Sequence, residues 1–151
     1  MAQSLAQVYV HIVFSTKHRR NILADAAIRR EMHAYLASIL KALESPALLV
    51  GGVGDHAHIL CRLSRTATLA KIVGEAKRSS SKWIKTKGGQ YAGFQWQNGY
   101  GAFSVSYSQV AAVREYIAHQ EQHHQRMTFQ DELRALLVKH QIEFDEQYVW
   151  D

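Results

Sequence analysis

Apolar and polar residues change period several times along this chain, and each change marks an element. In "AQVYVHIVF" (6–14) they alternate, with Val8, Val10, Ile12 and Phe14 on one side, which predicts a half-buried strand. Over 24–44 the period lengthens. Ile28, Met32, Tyr35, Leu36, Ile39 and Leu43 recur at helical spacing and predict an amphipathic helix. The only proline, Pro46, opens the next segment. "ALLVGGV" (47–53) reads as a second strand and "HAHILCRL" (56–63) as a third, joined by a tight turn at Gly54 and Asp55. A second helix, 68–86, has Thr66 or Thr68 as its cap and Leu69, Ile72, Val73, Ala76 and Trp83 on its apolar side. Then "KGGQYAGFQWQNGYGAF" (87–103) breaks the pattern with five glycines and a run of aromatics. "AFSVSYS" (102–108) predicts a fourth strand, followed by a helix from Ser108 to about His124. Thr128, with Asp131 three residues on, opens one more helix through a variant capping box.

The order β-α-β-β-α-β, then helices, predicts an α+β, ferredoxin-like fold. Such a fold is a four-stranded antiparallel sheet with two helices on one face. No linker or repeat interrupts it, so 1–151 reads as one domain with C-terminal helices over 108–139.

With 47% hydrophobic and 21% charged residues, the 151-residue chain has the composition of a soluble globular protein with a real core. No apolar run reaches the roughly 18 residues of a membrane helix. The N-terminus has no basic stretch of the signal-peptide kind, so a cytoplasmic, membrane-free protein is expected. The lone Cys61 excludes an intrachain disulfide and a Cys-rich zinc site. A net charge of +5 favours an anionic partner, nucleic acid first. Basic residues cluster in "KHRR" (17–20) and "KRSSSKWIKTK" (77–87). Lys17, Arg19, Arg20, Lys77, Arg78 and Lys82 are the candidate phosphate contacts. Phe94, Trp96 and Tyr100 offer flat faces for unpaired bases. Trp83 is expected to pack inward, and Trp96 has a core reading as well.

On a strand, His56 and His58 point to the same face, with Leu60 and Arg62; Ala57, Ile59 and Cys61 point to the other. Two such imidazoles stand about 7 Å apart along the strand. That spacing suits two ligands of one metal ion, and equally two hydrogen-bonded histidines near a strand start. A metal would need a third ligand. "VREYIAHQEQHH" (113–124) places Tyr116 and Gln120 four residues apart on one helical face, flanked by His119 and His123. A phenol with a pKa near 10 is a poor nucleophile at neutral pH. A nearby cation could lower that value or polarise a phosphate under attack. Tyr116 as a half-buried aromatic beside Val113 and Ile117 fits the spacing equally well.

"HAH" on a strand, "WQNGYGAFSVS" before the last strand and "YIAHQ" in the next helix together carry a family resemblance. They resemble the single-tyrosine HUH transposases of small bacterial insertion sequences, the two-hundred and six-hundred-and-five type. They are also similar to their relatives associated with repetitive extragenic palindromes. The similarity runs from "HIVFSTKHRR" to "TFQDEL". It implies cleavage and rejoining of single-stranded DNA with hairpin ends, through a tyrosine joined to the 5′ phosphate. By the same resemblance Tyr116 is the nucleophile, and His56, His58 and Gln120 hold a divalent metal, Mg²⁺ or Mn²⁺. Ala57 departs from the bulkier hydrophobe usual in the family, which implies a packing change on the core side.

A homodimer with shared sites is also expected. The histidine face of the sheet, Leu60 included, needs a cover, and an open sheet edge invites pairing. The resemblance implies that two chains join edge to edge and that Tyr116 and Gln120 can complete the partner's site. Three other readings stand beside this one: a ferredoxin-like RNA-binding module, a domesticated or inactive single-strand-binding copy, and a metal phosphodiesterase that uses water. The first leaves His56, His58 and Gln120 without a task; in the last, Tyr116 is dispensable.

Overall fold

The computed structural model describes residues 2–151. Strands β1 (Tyr9–Ser15), β2 (Ala47–Val53), β3 (His56–Arg62) and β4 (Gly101–Val105) form one antiparallel sheet in the order β2-β3-β1-β4. Helices α1 (Ala26–Ala42) and α2 (Leu69–Ile84) connect them as the ferredoxin-like reading requires. Both start at side-chain caps. Asp25 accepts from the backbone N–H groups of Ala27 and Ile28, and Thr68, not Thr66, accepts from Lys71.

Alternation in the strands divides the sheet into two faces. Val10, Ile12 and Phe14 of β1 join Ala57, Ile59 and Cys61 of β3 in the main core, under Met32, Leu36 and Leu40 of α1 and Ile72, Val73 and Ala76 of α2. Val8 lies before the strand and is exposed. Ala57 pairs across from Phe14, so a small side chain stands beside a large ring in this core. The glycine-rich segment belongs to this core too. Trp96 bridges to Thr16, packs edge-on against Phe14 and Phe94 at 4.8 and 4.9 Å, and donates its Nε1–H to Ser80 at 2.9 Å. Trp96 and Phe94 are therefore structural, while Tyr100 remains exposed. Trp83 lies half-buried, stacked on Tyr35.

The other face, with His11, Val13, His56, His58 and Leu60, is covered by the chain itself. The helix expected over 108–124 breaks at His119 into α3 (Val110–Ala118) and α4 (Gln120–His123). Helix α5 (Phe129–Lys139), capped by Thr128, packs Phe129, Leu133 and Leu137 with Val13 and Phe103. Leu60 is fully buried without a second chain. Among the described residues no helix is long and apolar enough to cross a membrane.

Gly51 sets how closely α3 approaches the sheet. It pairs with His58, and a Cβ there would lie 2.7 Å from the carbonyl oxygen of Ile117 and 2.8 Å from its Cγ2. Gly51→Ala should therefore lift α3 and cost about 1–3 kcal/mol through overpacking. Urea unfolding measures this; an unchanged midpoint would remove the close contact as a constraint.

Candidate active site

Three elements meet over the end of β3. Histidines His56 and His58 are fully buried and hold their imidazoles 5.0 Å apart, centroid to centroid. Each ring is fixed through its Nδ1. His56 Nδ1 is 2.7 Å from Asp55, in the turn before the strand, and His58 Nδ1 is 2.8 Å from His11 Nε2 on β1. Both Nε2 atoms are thereby aimed at one point, the orientation that outer partners give to metal-binding histidines.

The C-terminal helices fill that point. Gln120 Oε1 lies 2.9 Å from His56 Nε2, and Gln120 Nε2 donates to Glu132 at 2.8 Å. Glu132, on α5, takes most of the remaining donors. Its carboxylate accepts from His58 Nε2 at 3.0 Å and His124 Nε2 at 2.9 Å, lies 3.2 Å from His56 Nε2, and accepts the Tyr116 hydroxyl hydrogen. The Tyr116 ring lies 5.9 Å from that of His58 and 4.8 Å from that of His123, centroid to centroid. All of this is within one chain. Tyr116 and Gln120 meet the histidines of the same chain.

These contacts set the charges. Burial disfavours the Glu132 carboxylate, but hydrogen bonds from His124, His56 and His58 outweigh it and hold the group well below the usual carboxylate range. Burial also opposes the charged form of His56, yet Asp55 and Glu132 push its pKa up to about 9. His58 is lowered by burial, and His11 falls to about 3 by burial and the neighbouring His58. The Tyr116 phenol is raised by burial and by its bond to Glu132. The phenol is thus a proton donor in this state.

Ligand atoms of His56, His58 and Glu132 lie within 4.8 Å of one another. With the Gln120 oxygen they form an N,N,O,O donor set that fits a divalent ion, including Mg²⁺ and Mn²⁺ where oxygen donors predominate in the shell. His56, His58, Gln120 and Tyr116 come together as the sequence suggested. Glu132, His124, His11 and Asp55 were missed. Glu132 sits in "TFQDEL", where it reads as an ordinary first-turn acid of a helix, and only the fold turns it inward. His119 stays outside, bonded to its own helix.

The basic clusters fare unevenly. Lys17 and Arg78 line one groove of about 360 Å³ with Ser81, so 17–20 and 77–82 are neighbours in space. Arg20 and Lys82 are exposed, and Arg19 lies over the Trp150 ring at 5.8 Å. Lys77 differs from its expected role. Its ammonium donates to the carbonyls of Gln97, Asn98 and Gly99 at 2.8, 3.3 and 2.5 Å, and burial lowers its pKa to about 8. It ties the loop before β4 to α2.

Removing the central carboxylate should be costly. Glu132→Ala is expected to lose about 3 kcal/mol in urea unfolding, because buried donors lose their acceptor. The carboxyl's folded-state pKa lies far below its unfolded value of 4.5. Its contribution is present above that pH and is withdrawn as the pH falls below it. Glu132→Gln should therefore flatten the acid limb of the stability curve; an unaltered limb contradicts the assignment.

The sequence model of the family described as "Transposase IS200 like" matches residues 4–120. No curated protein sequence matches the chain. Among solved structures, the fold is similar to a protein from Deinococcus radiodurans R1 provisionally described as a transposase. The TM-score there is 0.62 at 19% identity, over 80% of this chain and 95% of that one. It is also similar to a REP-associated tyrosine transposase bound to a REP hairpin, with a TM-score of 0.59 at 12% identity, over 82% and 74% of the two chains. Both likenesses concern the fold, whereas the family match takes in His56, His58, Tyr116 and Gln120. The chain belongs to the IS200-like transposase family.

Proposed function

We propose that this protein is a cytoplasmic single-tyrosine HUH transposase that cleaves and rejoins single-stranded DNA. The observation that carries the reading is the convergence of the Tyr116 hydroxyl with the two histidine Nε2 atoms and the Gln120 oxygen at one buried point. Tyr116 Oη attacks the phosphodiester. A bond forms from that oxygen to phosphorus, the bond to the 3′ oxygen breaks, and the released oxygen leaves as a 3′-OH. Rejoining is the reverse attack by a 3′-OH on the phosphotyrosine. The phenol proton has an acceptor in place, the Glu132 carboxylate. A divalent ion held by His56, His58 and Gln120, with Glu132 beside them, would supply Lewis-acid polarisation of the phosphate. Asp55 and His11 keep both rings pointed at the site.

The substrate class is DNA with a hairpin beside a single-stranded flank, supported by the fold's likeness to a hairpin-bound relative and by the joined basic groove. Lys17, Arg19, Arg20, Arg78 and Lys82 are assigned to the phosphates. A homodimer is part of the proposal on one observation: no described strand pairs with the outer edge of β4. Each copy would keep its own site.

Tyr116→Phe should bind a hairpin oligonucleotide like the unaltered protein yet lose the covalent adduct on a denaturing gel by about 10⁴-fold or more. With Mg²⁺ or Mn²⁺, His58→Ala should also lose cleavage. A water-using phosphodiesterase would instead cleave normally as Tyr116→Phe. Mixing the two inactive variants should restore nothing if each copy keeps its own site; recovered cleavage would show sites shared between copies. For the groove, Arg78→Ala and Lys82→Ala should each lower the slope of log affinity against log salt by about one. Lys77→Ala should mainly lower the melting temperature.

A further inference from the structure

A cavity of about 860 Å³ opens between α3, α5 and β4, and the reaction proposed above does not use it. That size lies in the range of pockets that enclose small ligands. Its inner end is the Tyr116 ring with His11 and Glu132, so it begins where the attacked phosphate must lie. Phe103, Val113 and Leu136 give it an apolar lining. Gln109 and Lys139, both exposed, add an amide and a cation to that lining. An apolar slot with a cation and an amide in its lining, open to a nucleophile for phosphate, has the chemistry of a nucleobase and its backbone.

We infer that this cavity takes the unpaired nucleobase adjoining the phosphodiester that Tyr116 attacks, and so reads the base at the cleavage junction. The inference rests on the proposed tyrosine chemistry. The base would lie against Phe103, Val113 and Leu136, with Lys139 offered to a backbone phosphate and Gln109 to a base edge. A hairpin grip in the Lys17/Arg78 groove and a base slot beside Tyr116 would then locate the cut by shape and by sequence respectively.

The test uses the full chain with Mn²⁺ and a pool of hairpin oligonucleotides whose single-stranded flanks are randomised. Adducts are recovered and sequenced. One position next to the junction should be enriched in one base by about fivefold or more, the scale of a single stacked base. Ala112→Trp and Ala135→Trp place bulk at the cavity from exposed positions on α3 and α5. Both should lose that enrichment while still requiring the hairpin. A uniform base composition at the junction, or the same enrichment in both variants, overturns the inference and leaves the tyrosine chemistry standing. If unaltered protein forms no adduct with any sequence, the tyrosine chemistry fails and the inference falls with it. An abasic residue at the enriched position gives a second readout on unaltered protein, independent of how the variants fold. Adduct yield should drop by the same factor, and an unchanged yield overturns the proposal.

Discussion

A single buried carboxylate organises the lower half of this molecule. Glu132 is almost wholly removed from water, and a charge in that position persists only where donors surround it. The donors come from β3 (His58), α3 (Tyr116), α4 (Gln120) and the turn after it (His124). Each must be in place for the charge to be tolerated, so one group on α5 fixes the mutual positions of four segments. The apolar contacts of Phe129, Leu133 and Leu137 bring α5 to the sheet, and the carboxylate gives the arrangement its register.

The same network explains how the sheet can hold two imidazoles on a buried face. Burial alone would keep both rings neutral. His56 escapes this because Asp55 and Glu132 both act on it, whereas for His58 burial outweighs the bond to Glu132 and the pKa is lowered. Two histidines of one strand, one residue apart, thus shift in opposite directions by virtue of their surroundings. His11 can either donate to or accept from His58 Nδ1. That freedom lets His58 present either an N–H or a lone pair at Nε2 without moving its ring.

Much of this was legible in the sequence. The period-2 and helical patterns fixed all four strands and α1 and α2 to within a few residues, because each of these elements has one apolar side. The histidine pair and the Tyr116/Gln120 spacing were visible for the same reason: regular elements place side chains predictably. What could not be read were relations between elements. The role of Glu132 depends on α5 folding back by way of residues 124–128, and no local period records that. The helix break at His119 follows no proline or glycine. Lys77 looked like part of a solvated basic face, and only the approach of residues 97–99 gives its ammonium three carbonyls. Leu60 seemed to need a second chain because the helices that cover it lie some fifty residues and more downstream.

That last point bears on how the site is assembled. The segment matched by the family ends at residue 120, so the two histidines, the tyrosine and the glutamine fall inside it and Glu132 and His124 fall outside. Within the matched segment, Ile117 of α3 sits on Gly51 of β2, Tyr116 stands against His11 and His58, and Gln120 meets His56. Residues beyond 120 extend these contacts. They add a buried ion acceptor bonded to Tyr116 and Gln120 and an apolar cluster on β1 and β4, all from the same chain. Displacing α3 and α4 with nothing in their place would leave Glu132 without two of its donors, at the cost of an under-bonded buried charge. The C-terminal helix thus couples the histidines, the tyrosine and the glutamine to the apolar cluster on β1 and β4.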